Sequence, residues 1–418
     1  MKVSLQPALN DTNLDANQPN SQRQLAISLS ASAPNFERNI PLNLCLILDH
    51  SGSMNGRPLE TVKKAANRLV DKLQTGDRLS VVVFDHRAKV LIPNQFIDNR
   101  EQIKQQINRL TADGGTAIDE GMRLGIEELA KGKQETVSQA FLLTDGENEH
   151  GNNERCLKFA QLAAGYNLTL NTLGFGDHWN QDILEKIADA ASGTLSYIAQ
   201  PEQAEEEFSR LFSRLQSVGL TNAYLLLSLS HQVRLAELKP IAQVSPDTIE
   251  LPVQQDPYGN YMVRLGDLMK DKQRVVLANL YIGQLAVGQQ NIATVQVRYD
   301  DPALNQTELL SEMISVDANV MSVYKPAPNA NVQNSILALA KYRQTQLAEA
   351  KLQQGDRAGA ATMLQTAAKT ALQMGDNSAA TVLQTSATRL QSGEDLSEAD
   401  RKKTRIVSKT ILQDSPHP

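Results

Sequence analysis

The stretch Leu44-Cys45-Leu46-Ile47-Leu48-Asp49-His50-Ser51-Gly52-Ser53 decides the fold. Five apolar residues in succession mark a strand buried on both faces, as in a parallel sheet covered by helices. Oxygen-bearing side chains follow at once. Phe141-Leu142-Leu143-Thr144-Asp145-Gly146 likewise ends an apolar run in a carboxylate, and Asp113-Gly114-Gly115-Thr116 brings a hydroxyl to a helix start. An open α/β sheet places its site where such strand ends meet their loops. Asp49, Ser51, Ser53, Thr116 and Asp145 thus offer two carboxylates and three hydroxyls, with no thiolate and no imidazole. That donor set suits Mg²⁺ or Mn²⁺, with Ca²⁺ a further candidate. Magnesium takes about six oxygens, and some of the five are expected to act through water.

Asp-x-Ser-x-Ser, then Gly-Gly-Thr, then Thr-Asp-Gly resembles the von Willebrand factor type A domain and its metal-ion-dependent adhesion site. All three segments stand in the family's order and spacing. The resemblance implies metal ligation, direct or through water, by Asp49, Ser51, Ser53, Thr116 and Asp145. It also implies that an acidic residue of a partner protein fills the last coordination position. Gly174-Phe-Gly-Asp177-His-Trp179 and the helical stretch after it resemble the final strand and helix of bacterial type A domains. Trp179 there is either local packing or a contact residue. Gly174-x-Gly176 lacks the third glycine of a dinucleotide fingerprint.

Length bounds the organisation: 418 residues exceed one ordinary core and imply two or three domains. From 41 to 217 short apolar strands alternate with amphipathic helices, the signature of a doubly wound, mostly parallel sheet. Strands are predicted over 42–48, 78–84, 88–92, 139–144, 168–174 and 194–198, with helices near 58–74, 100–110, 117–131, 153–164, 180–190 and 202–217. Outside this unit the period changes to two. Leu25, Ile27 and Leu29 alternate before it, and 224–229, 232–238, 261–265, 274–282 and 291–299 read as antiparallel strands after it, with a turn at Asp256-Pro-Tyr-Gly259. The economical arrangement joins 1–40 and 218–325 in one β-sandwich into which the α/β domain is inserted.

Residues 326–418 are rich in Ala and Gln with helical spacing. They contain two near-repeats, LQQGDRAGAATMLQTAAKTA and LQMGDNSAATVLQTSATRLQ. Each opens with a C-cap glycine and an N-cap aspartate. The region is either a helical tail packed on the sandwich or a peptide-binding repeat.

A net charge of -6 with interspersed signs gives no basic stripe for nucleic acid or anionic lipid. Two cysteines, Cys45 in a strand and Cys156 on a helix, build no disulfide framework. No segment has the length and apolarity of a signal peptide or membrane helix, so a cytoplasmic protein is expected. His50 cannot serve as base to the adjacent Ser51, because neighbours in an extended chain do not converge as a triad demands. The pair of bridging carboxylates that a two-metal hydrolase needs is missing. The sequence therefore points to a noncatalytic, metal-dependent protein-binding module. A metal-assisted hydrolase and a scaffold with a purely structural metal are the alternatives.

Overall fold

The computed structural model describes residues 2–32, 40–257, 259–270 and 272–409. Tyr258 of the turn expected at 256–259, and residues 410–418 of the helical region, lie outside them. The chain opens with strands β1 (Lys2–Leu9), β2 (Asn13–Asp15) and β3 (Asn20–Ser32). An α/β unit follows: β4 (Leu42–Asp49), α1 (Arg57–Lys72), β5 (Arg78–Phe84), β6 (Ala88–Phe96), α2 (Arg100–Asn108), α3 (Ile118–Lys131), β7 (Val137–Thr144), α4 (Asn153–Gly165), β8 (Thr169–Phe175), α5 (Gln181–Ala190), β9 (Leu195–Ile198) and α6 (Ala204–Gln216). Its sheet runs β6-β5-β4-β7-β8-β9, parallel except for the antiparallel edge strand β6.

β4 lies at the centre of that sheet and is buried along its whole length. Its side chains alternate between two cores. Leu44, Leu46 and Leu48 pack with Val62, Ala66 and Leu69 of α1, Ile103 of α2 and Phe208 of α6. Cys45 and Ile47 pack with Met122 and Ile126 of α3, Ala160 of α4 and Ile187 of α5. Helix α3 approaches closely because Gly125 carries no side chain. A Cβ there would stand 2.3 Å from Ile47 Cδ1.

The chain then returns through β10 (Val218–Leu229), β11 (Val233–Leu235), β12 (Ile241–Ser245), β13 (Ile249–Glu250), β14 (Val253–Gln255), β15 (Tyr261–Met269), β16 (Arg274–Gly283), β17 (Gly288–Asp301), β18 (Gln306–Leu310) and β19 (Ile314–Met321). These strands form a sandwich with the N-terminal ones. β3 lies between β1 and β16, in register from Arg274↔Leu29 to Gly283↔Asn20. The other sheet orders β14-β15-β10-β17-β19-β2. One feature departs from the antiparallel expectation, for β2 pairs β19 in parallel.

Four helices close the described chain: α7 (Ala330–Gln353), α8 (Arg357–Gln373), α9 (Asn377–Gln391) and α10 (Glu398–Lys409). The two Gly-Asp pairs act as their composition predicts. Gly355 and Gly375 take positive φ, and Asp356 and Asp376 accept hydrogen bonds from Gly359 N and Ala379 N at 2.8 and 3.0 Å. Helix α7 lays Val332, Leu339 and Tyr342 on Ala26, Val244 and Leu277 of the sandwich, which is the tail-packing arrangement. Helix α10 turns back to the α/β unit. Its Lys409 pairs with Asp189 and Glu185 of α5 at 2.6 and 3.1 Å, and its Arg405 with Asp182 and Glu185.

The shared sheet makes a test. Leu25, Ile27 and Leu29 are each worth about 1.5–3 kcal/mol of burial, so losing β3 removes much of the 5–15 kcal/mol that is roughly a domain's whole stability. Residues 41–217 alone should unfold cooperatively in urea by circular dichroism. Residues 218–325 should do so only when 1–40 is supplied in trans.

Candidate metal centre

Asp49 is the last residue of β4 and Thr144 the last of the adjacent β7. The parallel register that pairs Leu48 with Leu143 therefore sets their side chains beside each other. Thr144 Oγ1 donates to Asp49 Oδ2 at 2.5 Å, and Ser51 N donates to Asp49 Oδ1 at 2.8 Å. From there a chain of oxygens runs outward. Ser51 Oγ and Ser53 Oγ are 3.0 Å apart, and Ser53 Oγ donates to Asp145 Oδ1 at 2.7 Å. Asp49 and Ser51 are buried, Asp145 is half-buried and Ser53 is exposed, so the cluster rises from the sheet edge to the surface.

Strand alternation alone does not aim these serines. The turn closed by Ser51 N on Asp49, followed by a 3₁₀ turn at Gly52–Met54, brings 51 and 53 together. Backbone bonds lock the first loop to the second: Gly52 N to Gly114 O at 2.9 Å and Asp113 N to His50 O at 2.9 Å. His50 points away from the cluster. It is buried, with Nδ1 3.0 Å from Thr111 O.

Thr116 is buried and reaches the cluster beside Gly146, where an added Cβ would lie 3.2 Å from Thr116 Oγ1. Gly146 thus keeps the Asp145 loop against that hydroxyl. Thr116 does not cap α3. The side chain of Asn148 takes that role, accepting from Ile118 N at 2.7 Å. The partner it caps lies thirty positions earlier in the chain, and no local pattern signals it. Glu147 and Glu149 are exposed. Thr144, absent from the expected set, is found only through the register of β4 on β7.

Burial pushes the Asp49 carboxyl up to about 6, against the Thr144 and Ser51 hydrogen bonds, and the charge of Asp145 adds to the rise. Burial raises Asp145 as well. Among the described residues no Lys, Arg or His pairs with either carboxylate within 4 Å. Nor, among those residues, do three His, Cys, Asp or Glu side chains stand together in an arrangement that could hold a metal ion, so a cation held here must draw on hydroxyls. Two desolvated carboxylates with no ion pair within 4 Å, His178 acting on Asp145 only from farther away, plus three hydroxyls, fit a hard divalent cation.

Trp179 is buried local packing. Its ring covers Gly174, its Nε1 donates to Gly176 O at 2.7 Å, and Lys402 of α10 stands 4.3 Å from the ring centroid.

This fold is that of a von Willebrand factor type A protein. The family model for that domain matches residues 43–210, and the model for a Sll0103-like, C-terminal alpha-helical domain matches residues 330–414. The chain belongs to the Sll0103-like von Willebrand factor type A family: it is 61% identical to the Synechocystis sp. protein sll0103 over 413 residues, 99% of this chain and 98% of that one. Human inter-alpha-trypsin inhibitor heavy chain H3 is 27% identical over 193 residues, 44% of this chain but 22% of its own length. The chain thus spans about a fifth of that relative. Among solved structures, a von Willebrand factor type A protein from Catenulispora acidiphila superposes with a TM-score of 0.81 at 20% identity, over 98% of this chain and 97% of its own. VWA2 of Sulfolobus acidocaldarius, an ArnB paralog, gives 0.60 at 16% identity over 98% of each chain. Both share the fold.

Thr144→Val keeps the volume and removes the hydroxyl that holds Asp49. At neutral pH it should lower stability by about 1.5–3 kcal/mol, the worth of a hydrogen bond to a charged group, read as a lower urea midpoint at unchanged slope.

Proposed function

We propose that the chain is a noncatalytic, metal-dependent protein-binding module. Asp49, Ser51, Ser53, Thr116 and Asp145 hold Mg²⁺ or Mn²⁺, with Ca²⁺ as a further candidate, and a Glu or Asp of the partner completes the coordination. Von Willebrand factor type A domains mediate protein–protein interactions, and the observation that supports this particular mode is the oxygen cluster itself. It runs from buried Asp49 to exposed Ser53, so a cation at its outer end would meet both the chain's carboxylates and an arriving ligand. With two carboxylates and three neutral hydroxyls, the ion's charge is at most balanced, and less than balanced where a carboxylate acts through water. The open position then favours an anionic oxygen.

A noncatalytic role agrees with His50, whose ring is turned to Thr111 O and Asp85 rather than to the cluster. Among the described residues no helix is long and apolar enough to cross a membrane. Cytoplasmic residence is part of the proposal, in keeping with two buried, unpaired cysteines.

Capture of partners from cell extract on the immobilised full chain, with Mg²⁺ and with EDTA, tests the reading. Chelation should release the specific partners, and Thr116→Ala or Ser53→Ala should weaken capture roughly ten- to a hundred-fold while leaving the fold intact. Equal capture with and without chelator would instead make any metal a structural pin.

A further inference from the structure

At the edge of the α/β sheet opposite Asp49, where α4, α5 and α6 end, a cavity of about 550 Å³ separates the α/β unit from the sandwich. That volume lies in the range of small-molecule sites, roughly 300–1,000 Å³. Three guanidiniums line it: Arg214 from the end of α6, Arg264 from β15 and Arg274 from the start of β16.

The charges around them do not cancel. Two carboxylates of the wall are already claimed from outside it, Asp189 by Lys409 at 2.6 Å and Glu250 by Arg343 at 2.8 and 3.2 Å. Asp247 remains for Arg214, at 3.9 Å. Arg264 and Arg274 share the field of the half-buried Asp267, which accepts from Gln139 and Thr169 at 2.8 and 3.1 Å. Their own hydrogen bonds go to neutral acceptors: Arg264 to Ser192 Oγ, and Arg274 to Leu265 O and, at 2.9 Å, to Asp267 O. Arg264 Nε is sealed from solvent and makes no hydrogen bond. Three guanidiniums thus face two uncommitted carboxylates, with one buried donor unsatisfied. Burying a donor or a charge without a partner is costly.

We propose that this cavity binds a small organic oxyanion, a phosphomonoester or a polycarboxylate, with its charged end on Arg264 and Arg274 and its carbon skeleton against Pro246, Leu251 and Met262. Guanidiniums suit both anions because their planar fork donates two parallel bonds to a carboxylate or phosphate. The walls come from both bodies, Ser192 and Arg214 from the α/β unit and Arg264 and Arg274 from the sandwich. A bound anion would therefore bridge them.

Calorimetric titration of the full chain with phenyl phosphate, inorganic phosphate and citrate, at constant ionic strength set with chloride, tests the site. Saturable binding of one phosphate compound or citrate per chain is expected, weakened roughly ten- to a hundred-fold in Arg264→Gln. Gln254→Glu places a negative charge on an exposed lining residue, should weaken binding as well, and decides the matter if Arg264→Gln does not fold. Stronger binding of the phosphates assigns a phosphomonoester, and stronger binding of citrate a polycarboxylate. Absence of saturable binding to the wild type, or binding undiminished in the folded variants, overturns the proposal.

Discussion

The structure around the site depends on one constraint: a central strand, covered on both faces, that ends in a carboxylate shut off from water. Asp49 cannot be solvated where it stands, so its oxygens must be met by the protein. Thr144 meets one and Ser51 N the other. The first contact needs β4 and β7 in register, which needs the two apolar cores on either side of the sheet. The second needs the chain to turn sharply after β4. Once it turns, Gly52 N and His50 O are fixed against the Gly114 and Asp113 backbone, and Thr116 follows from that loop. Packing, turn and cluster are thus one cooperative unit, and its rigidity is what a ligand set with a demanding geometry requires.

Much of this was legible in the sequence because the α/β unit announces itself twice, by unbroken apolar strands and by helices with apolar residues at three- and four-residue steps. Each expected strand and helix of that unit is present. The five expected ligand positions come to one sheet edge, since each sits next to an element that the pattern locates. The sandwich was harder to read. β1 carries Pro7 and half-exposed positions, and its partner β3 masks it from solvent on one side only. β12 is five buried residues containing Gln243 and Ser245, too polar to read as a core strand. β19 alternates clearly but lies just ahead of the Pro-containing linker. Long-range roles such as the hold of Thr144 on Asp49, or of Asn148 on α3, depend on the meeting of segments distant in the chain.

The helical region shows the same division. Its two Gly-Asp caps are local chemistry, and they fold as composition dictates. What its helices touch is not local. Lys341 of α7 is fully buried, bonded to Asp376 Oδ2 and to Val407 O at 2.9 Å each, tying α7, α9 and α10 together. A buried ammonium held by a carboxylate and a carbonyl is a register pin more than a source of stability. Ala-rich helices, with few side chains large enough to fix their relative positions, have need of one.

The return of α10 to α5 closes the path of the chain. The inserted unit is tied to the sandwich by direct contacts, Gln139 and Thr169 on Asp267 and Arg264 on Ser192, and α10 adds the grip of Arg405, Lys409 and Lys402 on the α/β unit. A pull applied at the oxygen cluster is therefore shared between the polar contacts that join the two bodies directly and the ionic grip of α10, so the last described helix sets part of the stiffness with which the α/β unit is held against the sandwich.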